Sequence, residues 1–427
     1  MFNTENLQCF GGEDCYIGIG CDYMKQLATK VIDGGEPETF CMSCFNKDKG
    51  LRRDDYFQTI NVNSSSEESV TCVKCQKQWH IICAHFFPQH DPQFTCRDCG
   101  GQPTFQTTTV DSESKTSLDL RMESIAKAVL SKVTGKEESI SRNRISVVSF
   151  LTRKEVSLSE LFPPQILTVE EQDERIEYFL RAVYVFQRRA GVDVPFFIFF
   201  AHEYIHSRSI MIDYLDSVPF TKPDKVKGAV IKATLLEYMK YAKSNGYKSL
   251  HLWAKAPRQN ESFIHHCHPT DQIYLLQNQL ESWYRHVFQT GLEGGVIESY
   301  RTFEEECAIK KYTDPRHLPI YYHSLWAGEL EKCVEKLSKY VNTPAIKRRI
   351  LDYLKKNSFT LHSKDNYFVD FKNPARTLTM DREKHHSIMS DRIIFNKKLA
   401  ENNWEFSSLR RAVYSSIAIL NILLPQH

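Results

Sequence analysis

The sequence predicts an α/β (α+β) domain preceded by a small module held together by metal, and three observations carry the prediction. Ten of the 13 cysteines lie in the first 99 of 427 residues. Between residues 210 and 254 the apolar pattern runs strand, helix, strand, the signature of a layered α/β unit. The overall composition, 41% hydrophobic and 25% charged, is that of an ordinary folded protein and excludes disorder, collagen and coiled coil for the whole chain.

Charge narrows the function classes. Residues 1–99 carry 9 Lys+Arg and 14 Asp+Glu, and the remainder 46 and 39. Neither half is basic enough for a nucleic-acid-binding face, and no basic stripe with interleaved aromatics occurs. No apolar run reaches the roughly 18–20 residues that cross a bilayer, and the N-terminus lacks a signal-peptide pattern. An intracellular setting is expected, where thiols stay reduced and clustered cysteines read as metal ligands.

Residues 1–99 form the metal module, interrupted by a polar loop, NVNSSSEES (61–69). Residues 100–117, GGQPTFQTTTVDSESKTS, are small and polar and read as a linker, with the large domain at 118–427. Leu118, Ile125 and Val129 give a helix over 118–133. Arg144 to Leu151, Tyr178 to Phe186 and Val194 to Ala201 read as strands, the last a run (VPFFIFFA) suited to burial. Ile210 to Leu215 is a further strand ending at Asp216-Ser217. Asp224 is placed to cap a helix carrying Ile231, Leu235, Met239 and Ala242, which Lys240, Lys243 and Asn245-Gly246 would close. Tyr247 to Ala254 returns to strand with Trp253 near its end, and helices are expected over 278–290, 328–340 and 403–424.

Pairs spaced Cys-x2-Cys put two sulfurs on one turn, and two such knuckles complete a tetrahedral zinc site. The chain has three: Cys41/Cys44, Cys72/Cys75 and Cys96/Cys99. Cys75-x4-His80-x2-Cys83 has the spacing of half a PHD finger. In an interleaved module Cys72, Cys75, Cys96 and Cys99 share one ion. Cys9, Cys15, Cys41 and Cys44 make a separate RING-like site, and His80 with Cys83 belong to a third that lacks two ligands. Cys21, His85 or His90 could complete it, or it stays empty. His265-His266-Cys267-His268 also looks metal-binding, but adjacent residues cannot close a tetrahedron unaided, so a structured loop is preferred.

From Leu118 to Leu424 the chain resembles the acetyltransferase domain of the CREB-binding-protein family of histone lysine acetyltransferases. The resemblance rests on YLDSVPF (214–220), EYMKYAKSNGYKSLHLWA (237–254), FIHHCHPTDQ (263–272), LESWYRHV (280–287), LPIYYHSLW (318–326) and EFSSLRRA (405–412). LQCFGGEDC, FCMSCF and the zinc pairs resemble that family's PHD with an inserted RING. The chain is thereby identified as a divergent, truncated member without the upstream bromodomain.

The resemblance implies acetyl-CoA as acyl donor, held by Leu215, Asp216 and Ser217, by Lys227-Gly228 at the following helix start, and by Gln272, Tyr274, Gln279 and Trp283. It implies Tyr284 as the general acid that protonates the leaving thiolate, with Trp253, Trp283 and Pro269 lining a channel that orients acyl group and lysine. It further implies structural zinc, histones and other lysine-bearing nuclear proteins as substrates, transcription-factor partners and a nuclear location. Departures from the family pattern are Phe263 for a tyrosine, Ile273 for a lysine and Gln279 for an arginine. Tyr322, His323 and Ser324 replace acids, and the Lys-rich loop is short between Tyr340 and Asp365. These departures motivate a second reading, an acetyltransferase fold acting as an interaction scaffold in transcription. A ubiquitin ligase is a weaker third, because Cys9–Cys44 ligate only one zinc. Lys347-Arg348-Arg349 with Lys355-Lys356 read as a solvated helix face before a nuclear localisation signal.

Overall fold

The computed structural model describes residues 7–12, 15–31, 37–62, 66–110, 115–135, 142–258, 261–322, 324–337 and 345–424. The predicted helix at 118 begins where the Thr116 hydroxyl accepts a hydrogen bond from the Asp119 N–H and the Asp119 carboxylate accepts one from the Thr116 N–H, giving α1 (Ser117–Thr134). There follow β1 (Ile145–Ser157), β2 (Arg175–Arg189), β3 (Val192–Tyr204) and β4 (Ser209–Ser217). The chain continues through α2 (Val226–Ser244), β5 (Ser249–Trp253), α3 (Gln277–Glu293), β6 (Ile297–Thr302) and α4 (Phe303–Lys310). Last come α5 (Leu325–Lys336), α6 (Ile346–Leu354), β7 (Asn366–Phe371), α7 (Arg392–Glu401) and α8 (Leu409–Ala418).

These seven strands form one sheet, ordered β6-β7-β5-β4-β3-β2-β1, and the strands before residue 81 form small separate sheets. All pairs are antiparallel except β4 with β5, the two strands joined through α2. Every residue of β3 is buried because α8 packs on this strand from one side while α1 and α2 pack together beside the sheet. That is why its sequence is continuously apolar instead of alternating. Pro195 cannot donate to the ladder, and the register slips between Pro195 and Phe197, which leaves the Pro195 carbonyl for a side chain. A second slip, between Phe200 and Ala201, leaves Asp213 of β4 without a ladder partner.

Several expectations need correction. Asp224 does not cap α2: its exposed carboxylate pairs with Lys222, and the helix starts at Val226 behind Lys225. Gly246 does close it, at φ +93°, where an added Cβ would stand 2.4 Å from the Thr377 carbonyl. The predicted 403–424 helix starts later than expected: α7 is a separate helix before it, Ser408 starts α8 by accepting from the Arg411 N–H, and helical structure continues to Leu423. The 100–117 linker is a strap in its described part. Thr108 accepts from the Asp193 and Arg188 N–H groups, the Val110 N–H donates to Asp193, and Thr107 exchanges two hydrogen bonds with Asn421. Ile346, Ile350, Leu351 and Leu354 bury one face of α6, while Arg348 and Arg349 are exposed. His323 and residues 340–344 of the 340–365 segment lie outside the described residues.

Candidate active site and metal clusters

Cys9, Cys15, Cys41 and Cys44 bring four sulfurs within 4.8 Å of one another, and so do Cys72, Cys75, Cys96 and Cys99. Four thiols in such contact cannot all ionise without a cation. In the second cluster, backbone N–H groups of Cys96 and Cys75 pull the Cys72 thiol down, while hydrogen bonds with the Cys75 and Cys96 thiols push Cys99 up. A divalent ion removes that conflict, and the all-thiolate set fits structural zinc. His80 and Cys83 join no group of three ligand atoms among the described residues. Cys83 is exposed, with its Sγ 3.3 Å from Nη1 of Arg410. Of the two alternatives left open for the third site, completed or empty, no set of ligands completes it among the described residues.

Both clusters touch the large domain. Glu67, in the segment expected to be a polar loop, is buried and bridges Arg410 and Arg411 of α8, the latter at 2.6 Å. Phe87 stacks on Tyr414, ring centroids 4.4 Å apart. Cys15 forms an isolated bridge with Glu261, and Tyr16 meets the His266 ring edge-on at 5.3 Å.

Leu215–Ser217 ends β4 and Trp253 ends β5, so the only parallel pair of this sheet delivers both to one edge. The 261–274 segment crosses between them. Its Gln272 donates to the Ser217 carbonyl at 3.0 Å, and neither its buried Oε1 nor the buried Tyr274 hydroxyl has a hydrogen-bond partner among the described residues. Lys227 is close enough for the Asp216 charge to favour its ammonium, although burial prevails and pushes its pKa down. Gly228 is exposed, with open space where a Cβ would be. Gln279 is engaged elsewhere, its Oε1 accepting from the Leu276 N–H at 2.9 Å at the start of α3.

Asp216 is buried with His265 and His268, and the three could be taken for a metal site. However, His268 Nε2 stands 2.7 Å from Asp216 Oδ1. Two ligands of one zinc at about 2.1 Å each would stand roughly 3.4 Å apart. The contact is a hydrogen bond. Burial pushes the Asp216 carboxyl up, but His268 and His265 outweigh it and hold it well below the usual carboxylate range.

Tyr284 is buried on α3, stacked on Phe288 and edge-on to Trp283 at 5.0 Å. No hydrogen bond engages its hydroxyl among the described residues, and burial pushes the phenol pKa up, keeping it protonated. Trp253 is oriented by its indole N–H, which donates to Asp365 at 3.0 Å, with the Lys255 ammonium 5.1 Å above its ring. Asp365 was not foreseen, because it lies over a hundred residues from the strand it supports. A 280 Å³ cavity lined by Tyr178, His202, Asp213 and Tyr322 was also missed. Its sequence signal was an acid inside a buried strand, Asp213, whose pKa burial pushes up to about 7.

A model of the KAT3 histone acetyltransferase domain matches residues 132–416. Protein cbp-1 of Caenorhabditis elegans is 23% identical over 98% of this chain, which spans 25% of that protein. The probable histone acetyltransferase HAC-like 3 of Oryza sativa subsp. japonica is 25% identical over 72% of the chain and 27% of its own length. Histone acetyltransferase HAC2 of Arabidopsis thaliana is 22% identical over 88% of the chain and 30% of its own length. The chain thus spans about a quarter to a third of these relatives. Among solved structures, Rtt109 from Aspergillus fumigatus overlaps with a TM-score of 0.39 at 12% identity, covering 65% of this chain and 92% of that one.

Proposed function

The chain belongs to the KAT3 histone acetyltransferases, the CREB-binding-protein family, and from that membership we propose that it moves the acetyl group of acetyl-CoA to lysine side chains of histones and other nuclear proteins. The observation that carries this reading is the meeting of Ser217, Trp253 and the 261–274 segment at one sheet edge, with α3 following directly after that segment. Buried Gln272 Oε1 and the Tyr274 hydroxyl, both unpartnered among the described residues, suit the polar groups of acetyl-CoA, and Lys227 suits a phosphate. The lysine, as its neutral amine, attacks the thioester carbonyl, the C–S bond breaks as the C–N bond forms, and the nitrogen releases one proton to solvent, from which Tyr284 is reprotonated. Tyr284, kept protonated by burial, supplies the proton to the leaving thiolate. Trp253, fixed by Asp365, and Trp283 orient the reactants. Zinc in the two cysteine clusters is structural. A nuclear location and partnership with transcription factors follow as proposals from the family.

The test is transfer from acetyl-CoA to core histones. Tyr284→Phe is expected to lower the rate about 100-fold or more, as loss of a general acid does. Wild-type transfer no faster than the variant removes the claim. A second reading, a scaffold that keeps the fold without turnover, is favoured by Gln279 being tied to Leu276 and by Ile273 standing 90% exposed where the family has a cation. Calorimetry with acetyl-CoA separates the two, because a scaffold gives no binding heat.

A further inference from the structure

The Asp216 carboxylate accepts three hydrogen bonds, and all come from one loop. Its Oδ2 accepts from the N–H groups of Ile264 at 3.0 Å and His265 at 2.9 Å, and Nδ1 of His265 stands 3.3 Å from the same oxygen. Its Oδ1 meets Nε2 of His268 at 2.7 Å. A carboxylate offers about four lone-pair sites, and these three hydrogen bonds take most of them. Two consecutive N–H groups reach one oxygen only where the backbone curls. Cys267 beyond them takes the left-handed conformation, at φ +57°.

The same loop is gripped on its other side. His265 Nε2 meets the Pro195 carbonyl that the β3 slip leaves unladdered, at 3.2 Å. Arg392 and Asn396 of α7 donate to the carbonyls of Phe263 and Ile264 at 2.9 and 3.1 Å. The loop thereby lays Phe263 against Tyr214, ring centroids 5.8 Å apart.

We propose that Asp216, His265 and His268 form a latch that positions the 261–268 loop for the lysine substrate, and that the Asp216 side chain does not hold the acyl donor. This rests on the proposed acetyl transfer for its substrate. It also reassigns Asp216 from cofactor contact to positioning residue, leaving Leu215, Ser217 and Gln272 for the cofactor.

The test compares Asp216→Ala, His268→Leu and His268→Gln in the full chain, by amide hydrogen exchange and by kinetics with acetyl-CoA and core histones. The first two variants are expected to speed exchange in 261–268 about ten-fold or more while β3 stays protected. They should raise the histone KM about ten-fold and leave the acetyl-CoA KM within about two-fold. His268→Gln, whose amide nitrogen can replace Nε2 as donor, should restore both. The proposal is overturned if Asp216→Ala weakens acetyl-CoA binding in calorimetry with loop exchange unchanged, or if His268→Leu leaves exchange and KM as they were. Should Asp216→Ala fail to fold, the two His268 variants decide. If the wild type transfers no acetyl group, acetyl transfer fails as a function, while exchange and calorimetry still decide the latch.

Discussion

In the cysteine module the buried groups are few and sulfur-bearing: Cys72 and Cys96 sit with Phe86 and Phe94 in one small cluster, Cys9 with Ile17 and Tyr23 in another. In the large domain whole strands vanish from solvent, Phe150, Phe186, Phe196, Phe197, Phe199 and Phe200 among them. A segment under 100 residues with such small clusters cannot outweigh its chain entropy by burial, so ligation must make the difference. The sheet has area enough to stand without metal. The two regions are nonetheless joined by buried ionic and aromatic contacts, so loss of one can be felt in the other.

The largest expected effect separates them. Removing zinc with a chelator, or Cys72→Ser, takes away an apparent binding energy of about 10–16 kcal/mol per structural ion. Exchange in 66–99 should become fast while 178–204 stays protected, and elemental analysis should give two zinc ions per untreated chain. Simultaneous loss of protection in both regions would break the comparison.

Next is the joint. Glu67→Gln takes the anion from Arg410 and leaves Arg411 only Glu405, at 3.2 Å, so one arginine charge of the cluster is uncompensated, and it should cost about 3–5 kcal/mol in chemical denaturation. Burial pushes the Glu67 carboxyl up, but Arg410 and Arg411 overcome this and hold it below its ordinary 4.5. Its folded value lies under its unfolded one, so its contribution is complete above about pH 4.5 and is lost as pH falls through the folded value. The variant should lose that acid sensitivity.

The smallest effect belongs to the sheet alone. Burial pushes His251 down from 6.5 to about 4. Between those values the unfolded chain takes up a proton that the folded one refuses, so stability falls by about 3 kcal/mol as pH drops from 6.5 to 4. His251→Phe should flatten that slope in acid denaturation curves; an unchanged slope would assign it to other groups.

Much of the architecture was legible because it is local. The helical period of 118–133, the unbroken apolar run of β3 and the strand–helix–strand unit at 209–253 each report their own burial within one element. Strands β6 and β7 were not foreseen: IESYRT and NYFVDF are short, and β7 inserts between β5 and β6 by pairing with distant residues. The strap at 104–110 was hidden for a related reason, since its polar backbone is satisfied by Asp193 and Asn421, far away in sequence. In the candidate site Trp253 and Tyr284 came from motif resemblance. Asp365 behind Trp253 and the Asp216–His268 contact came from coordinates alone.

By itself the sequence determined which atoms are available: eight thiols at ligand spacing, a buried strand, a phenol on a helix, a Leu-Asp-Ser turn at a strand end. These are properties of one turn or one strand, fixed by backbone geometry over a few residues. Only the tertiary structure decided which groups meet. Asp216 grips a loop fifty residues away, His80 and Cys83 join no group of three ligand atoms among the described residues, and Glu67 is buried between two arginines of the last helix. Such meetings depend on strand order, register slips and packing summed over the whole chain, and no local pattern encodes them.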